Sequence, residues 1–231
     1  MRTGKRLVNV VLRSGLLAAG LAVTLVAQTP GVHPISGRRY APVMGWQGAD
    51  WLERHERGQE EDPDTAINVL KIARGASVAD IGAGSGYITM KLSARVGSEG
   101  KVYANDIQPQ MLRMLASRLA SARIGNVVLV QGTIDDPKLP EASVDLEMMV
   151  DVYHELSQPQ AMLRHLRAAL KPGGRLVLLE YRKEDPAIPI KYEHKMTVAE
   201  AKMEVEAEGF TLAKVEEVLP RQHILIFTVK Q

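Results

Sequence analysis

The 231-residue chain contains no cysteine. Disulfides, thiolate zinc sites and a cysteine nucleophile are therefore excluded, and the redox compartment is left open. Aromatic residues are scarce at 4%, with two Trp and two Phe, so any core must rest on Leu, Val, Ile, Ala and Met. A concentrated basic face is also missing. Lys and Arg number 29 against 27 Asp and Glu, and Arg2, Lys5, Arg6 and Arg13 all precede residue 28. Nothing downstream resembles the charged footprint of a nucleic-acid binder, so nucleic acid is not an expected partner. No close set of His and carboxylates has metal-ligand spacing along the chain, so no metal is expected. Internal repeats and low-complexity segments are absent.

The N-terminus forms a unit of its own. A basic start, Met1 to Arg6, is followed by the mostly apolar run Gly15–Ala27, whose length suits the hydrophobic part of a signal peptide. Counted from Leu7 the run approaches the ~20 residues that span a bilayer, but Asn9 and Arg13 interrupt it. Residues 1–27 therefore read as a signal-like or membrane-anchor segment. That predicts an exported, periplasmic or membrane-anchored protein, with a cytoplasmic location as the alternative and membrane association through this segment. Residues 28–64 are rich in Pro, Gly and charge and read as an N-terminal extension or lid. Residues 65–231 form the main domain.

From Ala66 onward the pattern alternates regularly. Strands are expected at Ser77–Ile81, Lys101–Asp106, Val127–Val130, Val144–Val150 and Arg175–Glu180. Helices are expected at Ala66–Ala73, Tyr87–Val96, Met111–Ala122, Ala161–Leu170 and Thr197–Glu208. The third of these helices carries Met111, Leu112, Leu115 and Leu119 on one face. Pro172-Gly173-Gly174 reads as a turn. Such alternation predicts an α/β fold with a mostly parallel sheet covered by helices on both faces. The tail breaks the alternation: Thr211–Leu219 and Ile224–Val229 are joined tightly, hence antiparallel.

The first strand runs into Asp80-Ile81-Gly82-Ala83-Gly84-Ser85-Gly86. Glycines there let the backbone turn sharply and approach a ligand closely, at a helix N-terminus with unpaired N–H groups. Asp106 ends the next strand, where an acid can accept both hydroxyls of a ribose. The spacing is G-x-G-x-G, not the G-x-G-x-x-G that cradles a pyrophosphate. A nicotinamide-dependent oxidoreductase on the same type of sheet is therefore a weaker alternative.

Together with Gly132-Thr133-Ile134-Asp135, Ser143-Val144-Asp145 and Leu170-Lys171-Pro172-Gly173-Gly174, these residues resemble the successive motifs of class I S-adenosylmethionine (SAM)-dependent methyltransferases. The similarity is to the small-molecule group that includes the ubiquinone and menaquinone biosynthesis enzymes, and it runs from about Ile67 to Phe227. It implies a Rossmann-like, seven-stranded, mostly parallel sheet with an antiparallel last strand, SAM as cofactor, and a small-molecule or lipid-like acceptor. Residue by residue, it implies that Gly82, Ala83, Gly84, Gly86 and Tyr87 pack under the methionine part, with Asp80 supporting the loop. Asp106 would bind the ribose and Ile107 would lie against adenine. Thr133, Ile134 and Asp135 would frame the adenine edge, with Asp135 taking the place of an acid that many relatives carry at the position of Thr133. A SAM-binding scaffold without turnover is the second alternative.

The reacting end should lie beyond the carboxyl ends of the strands. Within Asp151–Glu155 the leading base candidate is His154, whose ordinary pKa is nearest neutrality, followed by Tyr153 and Asp151. Tyr181, Arg221 and His223 leave the sheet on the same side. Trp46 belongs to a segment, Trp46–Trp51, able to fold over the pocket. Lys191–Lys195 reads as a solvated loop. Val150-Asp151-Val152-Tyr153 stands where an Asn-Pro-Pro-Tyr-like sequence would signal amino methylation of adenine or glutamine. Without cysteine, thiolate-assisted base methylation and a cysteine relay for arsenite are excluded.

Overall fold

The computed structural model describes Met1 and residues 31–230. Apart from Met1, the signal-like or anchor segment 1–27 thus lies outside the described residues. Among the described residues, no helix is long and apolar enough to cross a membrane.

Seven strands form one sheet: β1 Ser77–Ile81, β2 Lys101–Asp106, β3 Val127–Gln131, β4 Val144–Val150, β5 Leu170–Tyr181, β6 Phe210–Glu216 and β7 Gln222–Val229. Their order is β3-β2-β1-β4-β5-β7-β6. The pairs among β1 to β5 are parallel, while β7 runs antiparallel to both β5 and β6. Reversal between β1 and β4 opens a crevice at the strand tips, where α/β folds bind ligands.

Alternate residues of each central strand face opposite layers, as a period of two requires. Ala79, Met149, Leu176 and Leu178 join one cluster, and Val78, Met148, Val177 and Leu179 join the other. The helices that cover them are α1 Ala49–Leu52, α2 Arg57–Glu61, α3 Pro63–Val69, α4 Tyr87–Val96, α5 Pro109–Ala122, α6 Pro159–Ala169 and α7 Val198–Glu206. On one face, Met162, Leu163 and Leu166 of α6 and Ala201 and Val205 of α7 are buried. On the other, Ile67 of α3 and Ile88, Leu92 and Val96 of α4 are buried. Proline at the first position of α3, α5 and α6 supplies helical φ where no N–H partner is needed. A capping box between Thr197 and Glu200 starts α7.

Two local expectations differ from what is observed. Pro172-Gly173-Gly174 lies within the range of β5, where a register shift against β4 and the left-handed φ of Gly173 absorb the irregularity. The helix expected at Ala66–Ala73 is the shorter α3, which begins at Pro63 under an Asp62 cap and ends before Leu70.

Residues 31–41 strap the N-terminal side of the domain to its far face. Arg38, 4% exposed, donates through Nε and Nη2 to the Glu204 carboxylate at 3.0 and 2.8 Å. Glu204 sits in α7 and is wholly buried. Arg38 Nη1 and the Ala41 N–H both donate to the His154 carbonyl, each at 3.0 Å. Removing one partner of such a buried pair leaves an uncompensated charge, which costs about 3–5 kcal/mol. Glu204→Ala should therefore lower the unfolding free energy by about that amount in urea titrations. A loss below roughly 1 kcal/mol would show that the pair is not a structural clamp.

Candidate SAM and acceptor site

The glycine loop is shaped by both conformation and space. Gly84 has φ +56°, and a Cβ there would lie 2.8 Å from Leu52 Cδ1. Gly86, which caps α4, has φ +97°, and its Cβ would lie 2.2 Å from Leu115 Cδ1. L-residues with side chains are strained at such φ values, so these positions require glycine. The N–H groups of Gly82 and Ala83 donate to the Asn105 carbonyl at 2.9 and 2.8 Å. Asp106 joins the tips of β1 and β2: its Oδ2 accepts from the Gly84 N–H at 2.9 Å and its Oδ1 from the Gln108 N–H at 2.8 Å. A carboxylate has about four lone-pair sites, so each oxygen retains capacity for a ribose hydroxyl. Burial pushes the Asp106 carboxyl above its usual pKa, against those backbone donors.

Asp80 lies beneath the loop, where Thr89 donates to it at 2.6 Å. It does not line the cavity. Burial raises its pKa to about 6, against the opposing hydrogen bond from Thr89 and the charge of Arg57.

From the loop a cavity of about 490 Å³ extends to the exit of β4, within the range of small-molecule sites. Gly82, Gly84, Asp106 and Ile107 line one end, and Asp151, His154 and Tyr181 the other. Val43, Met44, Trp51, Pro189 and Ile190 supply apolar walls. His154, 2% exposed, sits in a short 3-10 turn, Tyr153–Glu155, with Nδ1 2.5 Å from Glu180 Oε2 and Nε2 3.1 Å from His194 Nδ1. Glu180 is held in turn by the Tyr153 N–H at 2.9 Å. Burial disfavours the His154 imidazolium, but Glu180 outweighs it and the pKa is raised. Burial also raises Glu155 to about 7. Asp151 holds a left-handed φ of +56°, and Gln222 Nε2 donates to both of its oxygens. Burial, then the nearby Glu61 and Glu180, push its pKa upward. Glu61 is compensated by Arg54 and Arg57 and accepts from the Tyr181 hydroxyl at 2.8 Å.

Several expected residues stand elsewhere. Tyr153 is fully buried in the core with its hydroxyl unpartnered, so its phenol does not reach the cavity. Trp46 and Trp51 are equally exposed, but Trp46, whose N–H donates to Gln108 Oε1, does not line the cavity, while Trp51 does. Arg221 pairs with Glu60, and His223 is held between Glu217 and Glu184; neither lines the cavity. Ala83, Gly86 and Tyr87 form the loop's underside and the start of α4, behind the lining residues. Thr133, Ile134 and Asp135 form an exposed loop after β3 in which Thr133 Oγ1 donates to Asp135 at 2.6 Å. That loop adjoins Asp106 through the Gly132 N–H, which donates to the Asp106 carbonyl at 3.1 Å.

Other wall residues were not expected. Arg57 lies in the segment read as an extension or lid and was not singled out, and Lys191 and His194 lie in a stretch read as a solvated loop, yet all three line the cavity. His194 approaches His154 and its neighbour Glu155 across 40 residues of chain, a proximity invisible in linear spacing. The expectation that no His–carboxylate set has metal-ligand geometry therefore does not carry over to three dimensions.

Sheet order, the insertion of β7 between β5 and β6, and the G-x-G-x-G loop define a class I methyltransferase fold and remove the basis for the dinucleotide-dependent oxidoreductase alternative. Known proteins agree. A profile of the family described as a methyltransferase domain matches residues 78–174. Ubiquinone/menaquinone biosynthesis C-methyltransferases of Escherichia fergusonii and Salmonella arizonae are each 35% identical over 118 residues, 51% of this chain and 47% of each relative. The chain thus spans about half the length of these curated relatives. A solved SAM-dependent methyltransferase from Aquifex aeolicus has a TM-score of 0.77 at 26% identity, covering 81% of this chain and 100% of that one. A TehB-like SAM-dependent methyltransferase from Corynebacterium glutamicum, at 18% identity and TM-score 0.60 over 80% of this chain and 98% of its own, shares the fold. Residues 78–174 thus match a methyltransferase domain, and the fold is that of class I SAM-dependent methyltransferases.

Two outcomes follow. Asp106→Ala removes the carboxylate that ties the loop and lines the cavity, so the affinity for S-adenosylhomocysteine measured by calorimetry should fall by about 1.5–3 kcal/mol; unchanged affinity would contradict the expected ribose contact. Asp80 holds its proton to about pH 6 when folded and to roughly pH 4 when unfolded. Its contribution to stability is thus complete below about pH 4 and is lost as pH rises through about 6, a swing of roughly 3 kcal/mol. Asp80→Asn should lack that component, so the difference in unfolding free energy between variant and parent should shift in favour of the variant between pH 4 and 7. A pH-independent difference would contradict the raised pKa.

Proposed function

We propose that the chain transfers the methyl group of SAM to a small-molecule acceptor held in the cavity between the glycine loop and the Asp151–Glu155 turn. The observation that carries this reading is the continuity of that cavity, from Gly84 and Asp106 at one end to His154 and Glu155 at the other. The loop fits the cofactor: Gly82 and Gly84 bring bare backbone to the cavity wall, and Asp106 faces the crevice with lone pairs to spare. SAM supplies an electrophilic methyl group on a sulfonium.

The chain's own residues supply alignment and electrostatics. Asp106 and the glycine loop fix the nucleoside end. Asp151, Glu155 and Glu180 concentrate acidic groups at the other end, which favours a cationic sulfur nearby. Met44, Trp51, Pro189 and Ile190 give the acceptor an apolar bed and keep water away. His154, oriented by Glu180, presents Nε2 at the polar end, where an acceptor's heteroatom would sit. An apolar, ring-bearing acceptor with one polar edge matches these walls, and the similarity to quinone-biosynthesis C-methyltransferases over half their length points to the same kind of acceptor.

The test is a screen of phenols, quinols, amines and lipid headgroups with methyl-labelled SAM, followed by S-adenosylhomocysteine release. Labelled product should form with the parent chain, and Asp106→Ala should need more SAM for the same rate. Tight S-adenosylhomocysteine binding with no product from any class would favour the scaffold alternative.

A further inference from the structure

We propose that His154, Glu155 and His194 form a binding site for a divalent transition-metal ion, which holds an oxygen of the acceptor. One ligand atom from each residue lies within 4.8 Å of the other two. His154 Nε2 and His194 Nδ1 are 3.1 Å apart, and His194 Nδ1 is 3.9 Å from Glu155 Oε1. At a metal–ligand distance of about 2.1 Å, neighbouring donors are separated by roughly 3.0 Å in an octahedron and 3.4 Å in a tetrahedron. Two of the donors already stand at such an edge, and the carboxylate needs only a small side-chain rotation to complete it. Two imidazoles and one carboxylate on one side of an ion leave its remaining positions open, and they suit zinc, iron(II), manganese or cobalt.

A second observation is independent of those distances. The rear nitrogen of His154 is engaged by the Glu180 carboxylate at 2.5 Å, and the Tyr153 N–H fixes that carboxylate from behind. This carboxylate–histidine arrangement sets the tautomer with Nδ1 protonated and leaves the Nε2 lone pair directed at the other donors, as is usual for metal-binding histidines. The backbone of His154 is clamped as well, because its carbonyl accepts from Arg38 and Ala41. His154, Glu155 and His194 all line the cavity, so the open coordination positions face the space assigned to the acceptor. A hydroxyl that coordinates there gives its proton to solvent and stays bound as the oxyanion, which is the stronger nucleophile. The acceptor class is then a hydroxylated small molecule. That last step rests on the methyl-transfer reading; the metal site does not.

The test uses the full chain without a histidine tag, stripped with EDTA and titrated with cobalt(II) chloride. One equivalent of cobalt should bind and give a visible d–d absorption that zinc chloride abolishes. His194→Ala and Glu155→Gln, both at half-buried positions, should each weaken binding at least tenfold, and Glu180→Gln about 10–100-fold. Absence of stoichiometric binding, or equal binding by His194→Ala and the parent, would overturn the site. Calorimetry with S-adenosylhomocysteine on the stripped protein separates the two readings. Cofactor binding with no cobalt site leaves methyl transfer standing and removes the metal, whereas cobalt binding with no cofactor binding does the reverse.

Discussion

The carboxylate of Asp106 is where sheet, loop and site meet. One oxygen holds the Gly84 N–H and the other holds the Gln108 N–H, so a single side chain fixes both lips of the crevice. Those bonds explain how a charged group is kept at 6% exposure without a cationic partner: backbone dipoles satisfy it, at a cost in desolvation that raises its pKa. They also set the entry of α5, because Gln108 immediately precedes Pro109, and Gln108 then reaches the Met44 carbonyl at 3.0 Å. The wall of the cavity is thus bonded, through one glutamine, to the same strand tip that carries Asp106.

Charge at the far end of the cavity follows a different rule. Glu61 has two arginines within ion-pair distance, and Tyr181 donates to it besides. Asp151 and Glu155 have only neutral donors, Gln222 and the Met44 N–H. Acidic groups bonded only to neutral donors in a half-closed space are costly for folding alone. They become intelligible where a cation, whether a sulfonium or a metal ion, visits the same space.

The strands and helices around the glycine loop were legible because their signals are local. Ser77–Ile81, Tyr87–Val96, Lys101–Asp106 and Val144–Val150 are read from apolar runs, glycines and spacing, and the observed bounds are the same. The antiparallel tail was legible from the short connection before Gln222. The acceptor end was read less well, since its parts are set by tertiary contact. Tyr153 and His154 are adjacent in sequence, but the 3-10 turn sends the phenol into the core and the imidazole to the cavity. His194 arrives from a segment of Lys, Glu and Tyr with no periodicity, carried there by the backbone bonds of Met196 to Tyr181 and Lys183 at the end of β5. Trp46 and Trp51 carry the same chemical signal, and only the fold of α1 decides which of them faces inward.

The segment before the first strand is more than a cover. Val43, Met44, Trp51, Leu52 and Arg57 form one side of the cavity, and the strap at Arg38 anchors them to α7 across the molecule. Filling the cavity and ordering residues 31–61 are therefore thermodynamically linked events: whatever occupies the space also stabilises the chain that encloses it. The affinity observed for such a ligand therefore reports the stability of the enclosing segment together with the quality of the contacts.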